Sequence, residues 1–323
     1  MAMPRITQVS EPITLLVCGN GAWSAHITTT LLSAQRATPT TPIRVLIGAV
    51  EIDESDRERI QSAIPESPIT WIEISMAELD ALPERRTSKF NFIELLALNR
   101  LPLDIERVLT IDADAIVLDE LGSLWDTDLD GHTLAAARCT WGLWIGRGIR
   151  YFEELGLDGN AKYLQGGVKL IDMESWRRNG IHERSMAHLN KWHDSMHLGE
   201  QEILNSVIDD DWLELPLRWN VTTERWTTPD LVACAFSQAD LEESRINPGI
   251  FHFAGAKPWD WTDPLRGDLP WLEEWEQYAF DGPYRNWYVA ERERGLAQRA
   301  AIRPQRRSPL RRLRKVAAVL RHG

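Results

Sequence analysis

The chain has 323 residues, 43% hydrophobic and 26% charged, which is enough to bury a large core and ordinary for a soluble globular protein. Its net charge of -12 argues against a general nucleic-acid binder. Three scattered cysteines, Cys18, Cys139 and Cys234, exclude a disulfide framework or zinc knuckle by their spacing, and fit a reducing compartment. No run reaches the roughly 20 apolar residues of a membrane span, and no apolar core of a secretory signal follows Arg5. The expectation is a cytoplasmic protein.

In chain order, Ile13 to Cys18 reads as a short buried strand that stops at Gly19-Asn20-Gly21. Helical spacing follows from Trp23 to Arg36, then a second β-rich run from Ile43 to Val50. Asp53 is placed to cap a polar helix reaching Ile64, and Ile69 to Ile74 alternates like a third strand. A helix from about Thr87 to Asn99 leads into the apolar run Val108-Leu109-Thr110-Ile111. This β-α-β rhythm predicts a mostly parallel sheet with helices on both faces. Further on, the pattern predicts a strand at Val168 to Asp172 and a helix from Glu174 to Trp192 interrupted near Gly180. A short helix at Gly199 to Ile208, a strand at Ile250 to Phe253 and a helical stretch from Pro270 to Ala301 broken at Gly282-Pro283 complete the reading. The simplest division is one α/β domain over residues 1–265 and a helical extension over 266–323.

Asp112 and Asp114 stand at the end of the fourth strand with only Ala113 between them. If the chain stays extended there, alternation turns both carboxylates the same way, which makes a clamp for a hard divalent cation. Ligands of open α/β sheets bind beyond the carboxyl ends of the strands, so the Gly19–Gly21 turn and the stretch after Phe253 are expected in the same crevice. His252 supplies an imidazole to complete a metal site begun by the two acids. Gly255 lets backbone approach a phosphate, Lys257 sets a positive charge against it, and Pro258 and Trp259 stiffen the loop.

These segments resemble the retaining glycosyltransferases of family eight, which include bacterial lipopolysaccharide galactosyl- and glucosyltransferases and glycogenin. The resemblance rests on Arg107–Asp114, Leu124–Leu129, Gln165–Val168, Glu200–Asn205 and His252–Trp259, in the family's order and across most of residues 13–260. It implies a GT-A fold, a Rossmann-like mixed sheet flanked by helices. It further implies a UDP-sugar donor and Mn²⁺ or Mg²⁺ held by Asp112, Asp114 and His252, with Ala113, Gly255 and Lys257 against the donor. By the same resemblance Lys89 contacts the donor, Gln201 lies beneath the reacting sugar carbon, and Glu200 replaces an aspartate that holds sugar hydroxyls. Besides Glu200, the chain departs from the family at three places. Asn20 stands where an acidic signature helps hold uridine, Gln165 stands for an asparagine, and the His–Gly–Lys loop is one residue shorter. The activity implied is transfer of a hexose, glucose or galactose, to a hydroxyl of a glycan or glycolipid.

Two other classes compete. A sugar-nucleotide pyrophosphorylase would want a Gly-rich basic loop after the first strand, and Gly19-Asn20-Gly21 is not one. A non-catalytic nucleotide-sugar binder is compatible with the changes at Asn20 and Gln165. His193-Asp194-Ser195-Met196-His197 mimics a zinc-protease helix, but its Asp is too short for the catalytic Glu and no third ligand is evident. Trp141, Trp144 and Trp226, among fifteen tryptophans, are candidates for stacking on an acceptor sugar. From Arg303 to Arg321 there are eight Lys/Arg and no acid, with Leu310, Leu313, Ala317 and Leu320 at helical spacing. That segment reads as a basic amphipathic helix able to lie on an anionic membrane surface.

Overall fold

A computed structural model describes residues 11–83, 88–223 and 232–301. The first half holds β1 (Ile13–Asn20), α1 (Ser24–Ala37), β2 (Ile43–Val50), α2 (Glu54–Ala63) and β3 (Ile69–Glu73). It continues through α3 (Met76–Asp80), α4 (Ile93–Leu98), β4 (Arg107–Ile111) and β5 (Ala115–Val117). Strand β2 pairs with β1 in parallel register from Ile13↔Ile43 to Asn20↔Val50, and β3 pairs with β2 the same way. Alternate side chains of these strands feed two separate cores. Leu15, Val17, Val45, Ile47 and Leu109 join one with Ile27 and Leu31 of α1, whereas Leu16, Leu46 and Val108 join the other with Leu95 and Leu98 of α4. Burial on both faces explains why β1 and β2 read as continuous apolar runs. As expected, the Asp53 side chain accepts from the Asp56 N–H at 2.8 Å and caps α2.

The other half adds α5 (Gly122–Trp125), β6 (Leu134–Arg138), α6 (Ile145–Gly148), α7 (Phe152–Leu155) and β7 (Leu164–Asp172). Next come α8 (Met173–Arg178), α9 (Ile181–Trp192), α10 (Glu200–Ile208), β8 (Trp212–Leu215) and β9 (Val221–Thr222). The last elements are α11 (Gln238–Ile246), β10 (Ile250–His252), α12 (Leu272–Asp281) and α13 (Arg285–Ala301). The main sheet runs β3-β2-β1-β4-β7-β6-β8, with β7 antiparallel to both β4 and β6. The expectation of a mostly parallel sheet therefore holds for β3, β2, β1 and β4 and fails at its centre. Burial dictates an apolar pattern but carries no strand direction. Gly180 adopts φ 57° between α8 and α9, which is the predicted interruption.

A smaller sheet of β5, β10 and β9 packs beside the end of β4, with His252 opposite Ala115 and beside Thr222. The helices after residue 265 pack on α1. Trp275, Ala279 and Tyr288 share its core, and the Tyr288 hydroxyl meets His26 Nδ1 at 3.0 Å and Thr29 Oγ1 at 2.9 Å. No helix among the described residues is long and apolar enough to cross a membrane. The basic segment Arg303–Arg321 and Trp226 lie outside the described residues.

Candidate active site

Asp112, Ala113 and Asp114 do not continue the strand. The Ala115 N–H donates to the Asp112 carbonyl at 3.1 Å, so the three residues form a tight turn between β4 and β5. Extended alternation was the wrong reason to expect the two carboxylates together. The turn is held from both sides, as Asp112 N–H donates to Gly167 O at 2.8 Å and Phe253 N–H donates to Asp114 O at 2.9 Å. Pairing of β10 with β5 then delivers His252 to the turn. Its Nε2 lies 3.0 Å from Asp114 Oδ1 and 3.6 Å from Asp112 Oδ2. One ligand atom from each of the three residues lies within 4.8 Å of the others.

The surroundings orient this cluster. His252 Nδ1 is 3.1 Å from Asn220 Oδ1, a contact in which the ring N–H donates and turns Nε2 toward the acids. Asn220 Nδ2 donates to Gln165 Oε1, which also accepts from Gly167 N–H at 2.6 Å. Gly167 is required by space, since a Cβ there would stand 2.2 Å from His252 Cε1 and 2.4 Å from Nδ1. Lys257 Nζ pairs with Asp114 Oδ2 and donates to Phe253 O at 2.7 Å.

Burial opposes ionisation of Asp114, but His252 and Lys257 overcome it and hold its carboxyl below the usual range. Burial likewise opposes protonation of His252, and the charges of Asp114 and Asp112 outweigh it and raise the imidazole. Two carboxylates and one oriented imidazole, closed by a glycine with no room for a side chain, fit a hard or borderline divalent cation.

The cluster opens onto a cleft of about 520 Å³ at the carboxyl ends of β1 and β4. Asn20, Ala113, Gln165, Glu200, Gln201 and Lys257 line it together with the three metal candidates. Asn20 Oδ1 is buried with no hydrogen-bond partner among the described residues, an acceptor at the mouth of β1. Gln201 Oε1 accepts from Gly166 N–H at 2.9 Å. Burial and the neighbouring Glu94 carboxyl hold Glu200 well above the usual range.

Two expected residues lie elsewhere. Lys89 forms an ion pair with Asp80 and does not line the cleft. Gly255 is exposed, and its loop reaches the cleft through Ala254 and Lys257. Trp141 is 46% exposed, while Trp144 lies under the Arg138 guanidinium, 5.0 Å from its ring centroid. The His193–His197 segment forms no group of metal ligands among the described residues; the His193 ring faces Asn190 O at 3.1 Å.

Three residues were missed: Glu94, Lys169 and Asn220. Lys169 sits within Val168-Lys169-Leu170-Ile171 and Glu94 within Ile93-Glu94-Leu95-Leu96, and a lone charge inside a buried apolar run is itself a signal. Asn220 carries no such mark.

Residues 16–263 match the family described as Glycosyl transferase family 8. The chain belongs to that family. General stress protein A of Bacillus subtilis (strain 168) is 34% identical to this family 8 chain over 159 residues, 48% of this chain and 54% of that protein. The probable glycosyl transferase Gly of Streptococcus gordonii is 27% identical over 168 residues, 52% of this chain and 22% of that protein. The chain thus spans about half the length, or less, of these curated relatives. Among solved structures, the galactosyltransferase LgtC in complex with donor and acceptor sugar analogues superposes with a TM-score of 0.72 at 23% identity. That match covers 85% of this chain and 99% of the LgtC chain, and it gives the family 8 chain the GT-A fold.

Proposed function

We propose that this family 8 chain is a retaining, metal-dependent glycosyltransferase that moves a hexose, glucose or galactose, from a UDP-sugar to a hydroxyl of a glycan or glycolipid. The observation that carries the reading is the Asp112–Asp114–His252 cluster with Lys257 beside it at the floor of the cleft. Asp112, Asp114 and His252 would hold Mn²⁺ or Mg²⁺, which when bound supplies Lewis-acid neutralisation of charge on the departing diphosphate. Lys257 adds fixed positive charge at the same place. The unpartnered Asn20 Oδ1 is suited to accept an N–H from the nucleotide base.

Gln201 is not suited to covalent attack from beneath the sugar, because it is an amide whose oxygen already accepts from Gly166 N–H. That favours attack on the same face as departure, with the leaving phosphate taking the acceptor's proton. Release of UDP from a panel of UDP-sugars, with and without Mn²⁺, tests the reading. Manganese-dependent release from UDP-glucose or UDP-galactose is expected. UDP binding without release from any sugar would identify a binder instead.

A further inference from the structure

A second group of charges lies against the cleft and takes no part in holding metal or phosphate. Lys169, in the middle of β7, is 1% exposed. It donates to the Gly166 carbonyl, stands 2.7 Å from Glu94 Oε1 on α4, and is 3.7 Å from Glu200 Oε1 on α10. Glu94 and Glu200 both line the cleft, whereas Lys169 lies behind them. Burying this ammonium costs desolvation that an apolar residue would avoid, so the two acids are bound up with its presence. Both acids raise its pKa against the effect of burial, and Asp112 adds to them.

The hydrogen-bond inventory of this wall is one-sided. An ammonium has three protons, and the carbonyl and the two carboxyls around Lys169 can take all of them. None is left for a ligand. Glu94 Oε1 and Glu200 Oε1 are buried on the Lys169 side, and the two carboxyls contact one another. A single proton shared between them would still leave their other oxygens as acceptors. With one proton shared, the two acids and the lysine sum to zero, so the wall offers an anion no net positive charge, and the Asp112 carboxylate is close enough to be felt.

We propose that Glu94, Lys169 and Glu200 form a charge filter on the transferred sugar, so that the cleft takes a neutral sugar and rejects one bearing a carboxylate. The filter rests on the nucleotide-sugar reading above. A sugar hydroxyl donates to a carboxyl oxygen of this wall that Lys169 leaves open. A uronate finds no cation with a proton to spare in this wall, and its desolvated carboxylate goes unpaired. Lys169 touches no ligand; it is the positioning residue that keeps two acids from α4 and α10 side by side.

The test is calorimetric binding to the full chain with Mn²⁺, using UDP, UDP-glucose against UDP-glucuronate, and UDP-galactose against UDP-galacturonate. Each pair differs only by oxidation at C6. Wild-type protein is expected to bind the neutral member of at least one pair about tenfold or more tightly than its acid. Glu94→Gln, which removes charge but keeps shape, is expected to narrow that ratio at least about threefold while UDP affinity stays unchanged. The wild-type comparison stands whether or not the variant folds. Equal affinities within both pairs, or a folded Glu94→Gln protein with an unchanged ratio, overturn the filter and leave the UDP-sugar reading intact. Failure of UDP itself to bind overturns that reading, and the filter with it.

Discussion

Gly167 shows how closely the metal candidates are fitted to their backbone. The His252 ring lies where a side chain on Gly167 would be, and Gly167 O anchors the Asp112 N–H from the other side. Gly167→Ala therefore has to push His252 away from Asp114 or shift β7. The expected outcome is a loss of about 1–3 kcal/mol of stability from overpacking and about a 10–100-fold loss of Mn²⁺ affinity from misorienting a ligand. Denaturant titration and metal-binding calorimetry measure the two separately. At this scale the sequence is informative about first contacts and poor on their supports. Asp112, Asp114, His252 and Lys257 announce themselves by residue type, and the structure gathers them. Lys89 matches by position in a motif, yet its ion pair with Asp80 takes it elsewhere. Asn220, which orients His252, approaches from the turn just before β9, brought there by a strand pairing that no spacing along the chain encodes.

Among elements, the strands buried on both faces and the capped or glycine-broken helices are the legible ones. β1, β2, α2 and the α8–α9 break follow from apolar runs, Asp53 and Gly180. β6 is missed because Leu-Ala-Ala-Ala-Arg is weak in β-branched residues, although every one of its positions is buried. β5 and β9 are missed because three- and two-residue strands hold no period. Tyr288 joins α13 to α1, and periodicity cannot single it out. Tyr288 lies over a buried imidazole, His26, which burial pushes down to about 3 and which stacks on Trp259 at 3.7 Å between centroids. That stack ties α1 to the loop carrying Lys257. Tyr288→Phe leaves His26 Nδ1 and Thr29 Oγ1 without their shared hydroxyl. It should cost about 1–3 kcal/mol, the penalty for stranded buried polar groups, read as a lowered denaturant midpoint with little change in slope.

On the scale of the whole molecule, the acidic body and the basic segment Arg303–Arg321 are opposed in charge. A segment with leucines at helical spacing between arginines predicts binding to anionic vesicles that weakens as salt rises. Deletion of residues 303–321 should abolish sedimentation with phosphatidylglycerol vesicles at low salt and leave UDP-sugar turnover in solution unaltered. Equal sedimentation of full-length and shortened chains would contradict this. The central claim, however, concerns the turn between β4 and β5. The most direct measurement is Mn²⁺-dependent UDP release by wild type and by Asp114→Ala, with UDP-glucose and UDP-galactose as donors. Asp114 contacts both His252 and Lys257, so its loss dismantles the cluster, and kcat/KM should fall at least about 100-fold, as when a comparable charge-stabilising group is removed. Turnover by Asp114→Ala within a few-fold of wild type would contradict the account.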